Sequence, residues 1–354
     1  MRRLLPCIFL TFFWFHAALA QTSAWQVFLL RGIEANGADR LNFVNLTTAE
    51  ETTVSVRGAN YTVLPTGVLF QDVETRQVMV ASPDRTVTPH PLIEMGEFAR
   101  RVDWAVSADG RALAWTITGG SPTELTTTTW VAEGETHRQV LVDGPHNGIR
   151  AFPIGFNAEH DVLYMDYQPD TIADFTPFRQ YASMFSLDLE TGQTRSLPGE
   201  AGCFCGGGIG SHRFLRLMLG ANGFDLRAVN LDTNTQQIIP GIGLSDYTQG
   251  GDVLIAPDGT RATYALAHIS NFGTPEQALQ VVFVLVDLVN MTQTQLLEVS
   301  DLFLRPVAWT EDGSAILLTS PLQDGTWKIN VGQNSLEHIA SATYLGTMLS
   351  GQNN

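Results

Sequence analysis

Lysine is almost missing from this chain: of 20 basic residues among 354, only Lys328 is a lysine and the rest are arginines. Cations of both kinds are outnumbered by 36 Asp+Glu, for a formal net charge of −16. So acidic a surface repels phosphate backbones and anionic headgroups, which argues against nucleic-acid and membrane-surface partners. Charge is sparse overall, at 16% against 44% hydrophobic residues, which excludes a disordered chain or a coiled coil. Three cysteines are too few for a disulfide scaffold, so an apolar core must hold the fold. No segment sustains a 3.6-residue apolar period, and helical folds therefore lack support. Catalytic signatures are missing too: there is no Gly-x-Ser-x-Gly elbow, no His-Glu-x-x-His and no phosphate-binding loop followed by lysine.

The chain opens on Met1-Arg2-Arg3, runs apolar from Leu4 to Leu19 and reaches Ala18-Leu19-Ala20 before polar Gln21. This is the basic, apolar and small-x-small order of a secretory signal peptide, and it predicts cleavage after Ala20 and a secreted or periplasmic location. The apolar run is about 17 residues, so an uncleaved anchor is the alternative. Pro6 stands where lipidation of Cys7 would need a small residue. No later run is apolar for 18 residues, so no membrane insertion is expected after cleavage.

What the chain does contain is a repeat. Val106-Ser-Ala-Asp109-Gly110, Phe156-Asn-Ala-Glu159-His160, Ile255-Ala-Pro-Asp258-Gly259 and Trp309-Thr-Glu-Asp312-Gly313 each lead into an alternating strand, and Ile209-Gly-Ser211-His212 is a weaker copy. From Asp109 through Glu159, Ser211 and Asp258 to Asp312, the steps are 50, 52, 47 and 54 residues. Asp-Gly between strands makes a hairpin turn, because glycine accepts positive φ and aspartate tolerates it. Further strand-like runs follow in each copy, and four strands per roughly 50 residues is the period of propeller blades. Three runs near the start, Trp25–Leu30, Leu41–Leu46 and Thr52–Val56, and one at the end, Thr343–Leu349, combine into a blade shared by the termini, which removes the last open sheet edge.

The expected fold is therefore all-β, a β-propeller of seven four-stranded blades closed by N- and C-terminal strands, with six or eight blades as alternatives. A single domain covers residues 21–350, with blades at 25–57 plus 343–349, 61–88, 102–142, 152–197, 206–240, 252–298 and 306–340. The apolar-x-x-Asp-Gly core, with Asp188-Leu189-Glu190-Thr191-Gly192 further along, resembles the WD40-like (PD40) repeats of TolB-type propellers. The resemblance runs over residues 100–340 and implies repeats that set turns and fill the core between blades. It is partial, since TolB carries an extra N-terminal α/β domain.

If the first strand of each blade runs downward, short turns gather on the lower face. The long connections then share the upper face: Gly119–Thr128, Gln168–Arg179, His268–Ala278, His90–Arg101, Asp143–Ala151, Pro198–Gly207 and Gly241–Gly251. Loops on a rigid scaffold carry function, so the upper face is the candidate surface. His90, Glu94, His146, Arg150, Asp246 and Arg305 are its candidate binding residues, either converging at the channel mouth or filling separate crossings. Asp103 and Asp252 open inner strands and either line the channel or are simply solvated.

Cys203 and Cys205, with His212 beyond a glycine run, could supply soft ligands to copper or zinc; a strained disulfide or free buried thiols are the other readings. Asp166, Asp170 and Asp174 recur every fourth residue, as a Ca²⁺ site or a solvated acidic loop. Trp104, Trp115, Trp130 and Tyr264 fall on strands, where blade packing explains them better than sugar stacking. The function expected is an exported, monomeric binding or protein-interaction module with no cofactor, whose loop-rich face takes a protein partner or a small ligand. The alternative is a propeller hydrolase or lyase with its site at the channel mouth.

Overall fold

Seven four-stranded antiparallel sheets follow one another along the chain in the computed structural model. The structure describes residues 24–32, 37–134, 136–171, 178–198, 205–271, 273–300 and 302–348. The leader sequence, Cys203 and Asp174 lie outside these residues. Six sheets are built from consecutive strands, and in the seventh the C-terminal strand Thr343–Met348 pairs with Trp25–Leu30, ahead of Asp39–Asn45 and Glu51–Val56. The protein is a seven-bladed β-propeller closed by its two ends, and blade 1 is this composite sheet. Among the described residues no helix is long and apolar enough to cross a membrane.

Inner strands, in blade order, are Thr343–Met348, Gly58–Leu64, Ala99–Val106, Ile149–Phe156, Gly207–Gly210, Gln249–Ile255 and Arg305–Trp309. Three of them start about three residues before the polar-to-apolar transition that the sequence shows, at Ala99, Ile149 and Gln249. The extra residues mix arginines, glycines and a glutamine with alanine and isoleucine, buried and exposed alike, so apolar alternation does not mark them.

The core lies between blades. One cluster joins blades 5 and 6 through Leu217, Leu226, Tyr264 and Val284, and another joins blades 6 and 7 through Phe283, Leu304, Ile316 and Trp327. A mid-blade strand is covered on both faces, which is why Val281-Val282-Phe283-Val284 is buried without alternation, whereas Glu51–Val56 at an outer edge alternates residue by residue.

The repeat turns follow the local chemistry. Gly110, Gly259 and Gly313 have φ of 74°, 68° and 65°. Asp109 and Asp312 each accept a backbone N–H two residues on, from Arg111 and Ser314. In blade 4 His160 takes the glycine position at φ 61°, and its buried ring reaches Asp109 at 3.0 Å in blade 3. That contact ties adjacent turns together and gives the histidine a packing role.

Candidate binding site at the channel mouth

At the upper end of the channel the inner strands of blades 2, 3, 4 and 7 enclose a pocket of about 510 Å³. Its wall includes Tyr61 and Thr62, Arg101 to Trp104, Arg150, Phe152 to Ile154, Gln168, Phe178 to Tyr181, and Arg305. Four arginines thus reach one cavity in a chain whose cations are scarce.

Two are held by Asp103. Its Oδ2 accepts from Arg150 Nη1 at 2.6 Å and its Oδ1 from Arg101 Nε at 2.9 Å. The Arg150 side chain is 1% exposed, with its guanidinium 4.6 Å from the Phe152 ring centroid. Burial pulls the Arg150 pKa below the usual arginine value, and the Asp103 carboxylate opposes that pull. Arg150 Nε makes no hydrogen bond, and Asp170 Oδ1 stands 3.5 Å from it.

A second unit joins blades 6 and 7. Asp252 receives Arg305 through both oxygens, from Nε and Nη2, each at 2.7 Å. Asp252 has a φ of 52° at a break in register between Gly251 and Leu254. Such a bulge re-aims a side chain, here toward the neighbouring blade.

The segment Phe178 to Tyr181 leaves blade 4 and crosses blade 5. Phe178 packs on Phe303 with ring centroids 5.3 Å apart, inside the core between blades 6 and 7. The Arg179 N–H donates to Asp252 Oδ1 at 3.2 Å, and its carbonyl accepts from the Asp252 N–H at 3.3 Å. Gln180 Nε2 donates to the Gly250 carbonyl at 3.1 Å, and Gln168 Nε2 to the Gln180 carbonyl at 2.6 Å. The segment fits because blade 6 offers bare backbone: a Cβ on Gly251 would lie 2.6 Å from the Arg179 carbonyl oxygen and 2.7 Å from Phe178 Cβ. Beyond it, Tyr181 pairs with Cys205 in an isolated bridge, and Asp166 accepts the N–H groups of Ala182 and Ser183 at 3.0 and 2.7 Å. Burial pushes the Asp166 pKa up to about 6, against the downward pull of these N–H groups. Arg179 itself stays exposed to the channel.

Of the residues singled out in the sequence, Arg150 and Arg305 share this pocket, with Asp103 and Asp252 as their partners. The other four stand apart from it. His90 is half-buried, and its Nδ1 accepts the Leu92 N–H at 3.3 Å. Glu94 is exposed. His146 Nε2 lies 2.8 Å from Asp143, with its ring edge on Tyr167. Asp246 is exposed, and its carbonyl lies 2.7 Å from His268 Nδ1.

Cys205 is disulfide-bonded, while His212 lies beyond the far end of strand Gly207–Gly210, 3.3 Å from Asp232 on the lower face. The two do not share a site. Among the described residues no three His, Cys, Asp or Glu side chains form a metal-sized group. Asp166 holds backbone and Asp170 pairs with Arg100 at 3.2 Å. Trp104 borders the pocket and donates to Thr62 Oγ1 at 2.9 Å, whereas Trp115 stacks on Trp130 and Tyr264 is bonded to Gln293 in the core. Sequence reasoning missed Arg101 and Arg179. The available signal was period two along the strand, which puts Arg101 on the same face as Asp103.

No family model matches the chain, and no curated protein matches it in sequence. Solved structures do resemble it. A prolyl endopeptidase aligns at 11% identity and a TM-score of 0.58, over 90% of this chain and 50% of its own. This chain therefore spans half the length of that enzyme. An oligogalacturonate lyase, in complex with manganese, aligns at 13% identity and a TM-score of 0.53, over 91% of this chain and 86% of its own. TolB from Acinetobacter baumannii aligns at 11% identity over 77% of this chain and 63% of its own, with a TM-score of 0.42. The shared feature is the propeller fold. At such identities the likeness extends no further than the fold.

Proposed function

We propose that the protein is an exported binding module that takes its ligand, or a projecting part of a partner protein, into the pocket at the loop-rich end of the channel. One observation carries this reading: both carboxylates at the pocket are already committed, Asp103 to Arg101 and Arg150, and Asp252 to Arg305 and the Arg179 N–H. General acid–base chemistry needs a group free to exchange a proton with the substrate, and a side chain saturated by guanidinium donors does not offer one. The cavity falls in the range of about 300–1,000 Å³ usual for small-ligand sites. Phe98, 82% exposed just before the blade 3 inner strand, adds an apolar contact at the rim for a larger partner. Export rests on the leader pattern of residues 1–20, and assignment to the TolB-type WD40-like repeats rests on the apolar-x-x-Asp-Gly copies.

The competing reading is a propeller enzyme such as a lyase, the activity of the oligogalacturonate lyase that shares the fold. Affinity capture from the protein's native compartment, using wild type and a pocket-filling Thr62→Trp variant, tests the proposal. Wild type is expected to retain a ligand or partner that Thr62→Trp does not. Equal retention by both overturns the assignment of binding to this pocket, and turnover of the captured molecule by wild type favours the enzyme.

A further inference from the structure

We infer that the ligand meets this pocket through an oxyanion, a carboxylate or phosphate group, and that Arg179 receives it. The inference rests on the reading of the pocket as a binding site and adds the chemistry of what enters. Three observations support it.

The first is charge placement. The chain carries 36 acidic and 20 basic residues, yet four arginines, Arg101, Arg150, Arg179 and Arg305, converge on one cavity against three carboxylates that touch them, Asp103, Asp170 and Asp252. A local cationic excess inside low-dielectric walls focuses field lines and draws anions against the net charge of the whole molecule.

The second is an unmet donor. Arg150 is buried, its Nη1 is used by Asp103, and its Nε–H has no hydrogen-bond partner although Asp170 stands at 3.5 Å. Its pairing with Asp170 is thus a loose one, which leaves the charge of Arg150 incompletely compensated in the pocket wall.

The third is delivery. Arg179 is exposed to the channel, but its backbone is clamped at both N–H and carbonyl by Asp252, which Arg305 grips through two bonds. A guanidinium projecting from a fixed backbone loses little freedom on binding, and its planar fork matches the paired oxygens of a carboxylate or phosphate. Arg101, Arg150 and Arg305 hold Asp103 and Asp252, whereas the Arg179 guanidinium lies beside the Tyr181 hydroxyl and in the field of Asp252, with no carboxylate directly on it among the described contacts.

Calorimetric titration of the full mature chain with citrate, with inorganic phosphate and with uncharged glycerol is the test. At least one anion is expected to bind saturably, more weakly as salt is raised, while glycerol does not bind. Whichever of citrate or phosphate binds tells carboxylate ligands from phosphorylated ones. Arg179→Ala is expected to weaken that binding about tenfold or more, and Arg179→Lys, which keeps charge but not the fork, to recover part of it. Arg138→Ala, on the exposed outer strand of blade 3, is expected to bind as wild type does. Arg179→Gln, which keeps most of the side chain's length but not its charge, replaces Arg179→Ala if circular dichroism shows the latter unfolded.

Absence of saturable binding by either anion, or equal binding by wild type and the arginine variant, overturns the inference. The underlying reading fails separately: a pocket blind to both anions that still loses its captured ligand on Thr62→Trp overturns the oxyanion alone.

Discussion

Asp252 and Arg305 meet through both oxygens and two nitrogens, each contact 2.7 Å, although they stand on the inner strands of different blades. The same carboxylate holds the Arg179 backbone, so one side chain joins blade 6, blade 7 and the crossing segment from blade 4. Asp252→Asn tolerates the left-handed φ of 52° but cannot form the charged pair. Removing one partner of a buried pair is strongly destabilising. With Arg305 27% exposed the loss is reduced to about 2 kcal/mol, read as a lower urea midpoint at unchanged m-value. An unchanged midpoint would remove Asp252 from the account of the pocket.

Gly251→Ala tests the crossing segment independently of charge. Its new Cβ would press on the Arg179 carbonyl at 2.6 Å, and backbone cannot swing aside as a side chain can. A destabilisation of about 1–3 kcal/mol is expected, together with weaker ligand binding. Gly96→Ala, where φ is not left-handed and the new Cβ meets open space, separates this from the effect of losing a glycine alone. Equal losses at the two sites would show that contact with the segment contributes nothing.

The pH dependence of stability is expected to change sign. Asp166 titrates at about 6 in the folded protein because burial disfavours its charge, above its ordinary value of 3.8. The folded state thus binds more protons between those values, and this group adds stability as pH falls from 6 towards 4, up to about 3 kcal/mol. Asp109 behaves oppositely. Burial pulls its pKa up, but the Ser107 hydroxyl and Arg111 outweigh that and hold it at about 2, so its contribution is present above 3.8 and fades as pH falls through 2. Urea unfolding of wild type and Asp166→Asn across this range is expected to favour wild type progressively between pH 6 and 4. A constant difference would contradict the burial of a charged Asp166.

Cys205 is expected to resist alkylation in the native protein until reductant is added, since its sulfur is in a disulfide. Peptide mapping after labelling checks this, and a labelled Cys205 without reductant would refute it.

The fold was legible because its signals are local. Asp109-Gly110, Asp258-Gly259 and Asp312-Gly313 mark turns by their own backbone chemistry, and their spacing counts blades. Closure by the strand Thr343–Met348 followed from the need to cover an edge. The site was half-legible. Arg150 and Arg305 stood out as charged residues of the upper-face connections, but their convergence with Arg101 and Arg179 is created by closing the ring. Arg179 was hidden further, because its position depends on Gly250 and Gly251, some 70 residues away, leaving a crevice for its segment. His146 and Asp246 carry the same chemistry at the same face and yet stand outside the pocket, since loop position alone does not say which way a side chain is led.

Hydrogen–deuterium exchange of the complex with the captured ligand tests the central claim most directly. Binding at the channel mouth is expected to slow exchange in Ala99–Val106, Ile149–Phe156 and the Phe178 to Tyr181 segment, with the Asp109, Asp258 and Asp312 turns unchanged. Protection confined to those lower turns, with the inner strands exchanging as in the free protein, would contradict it.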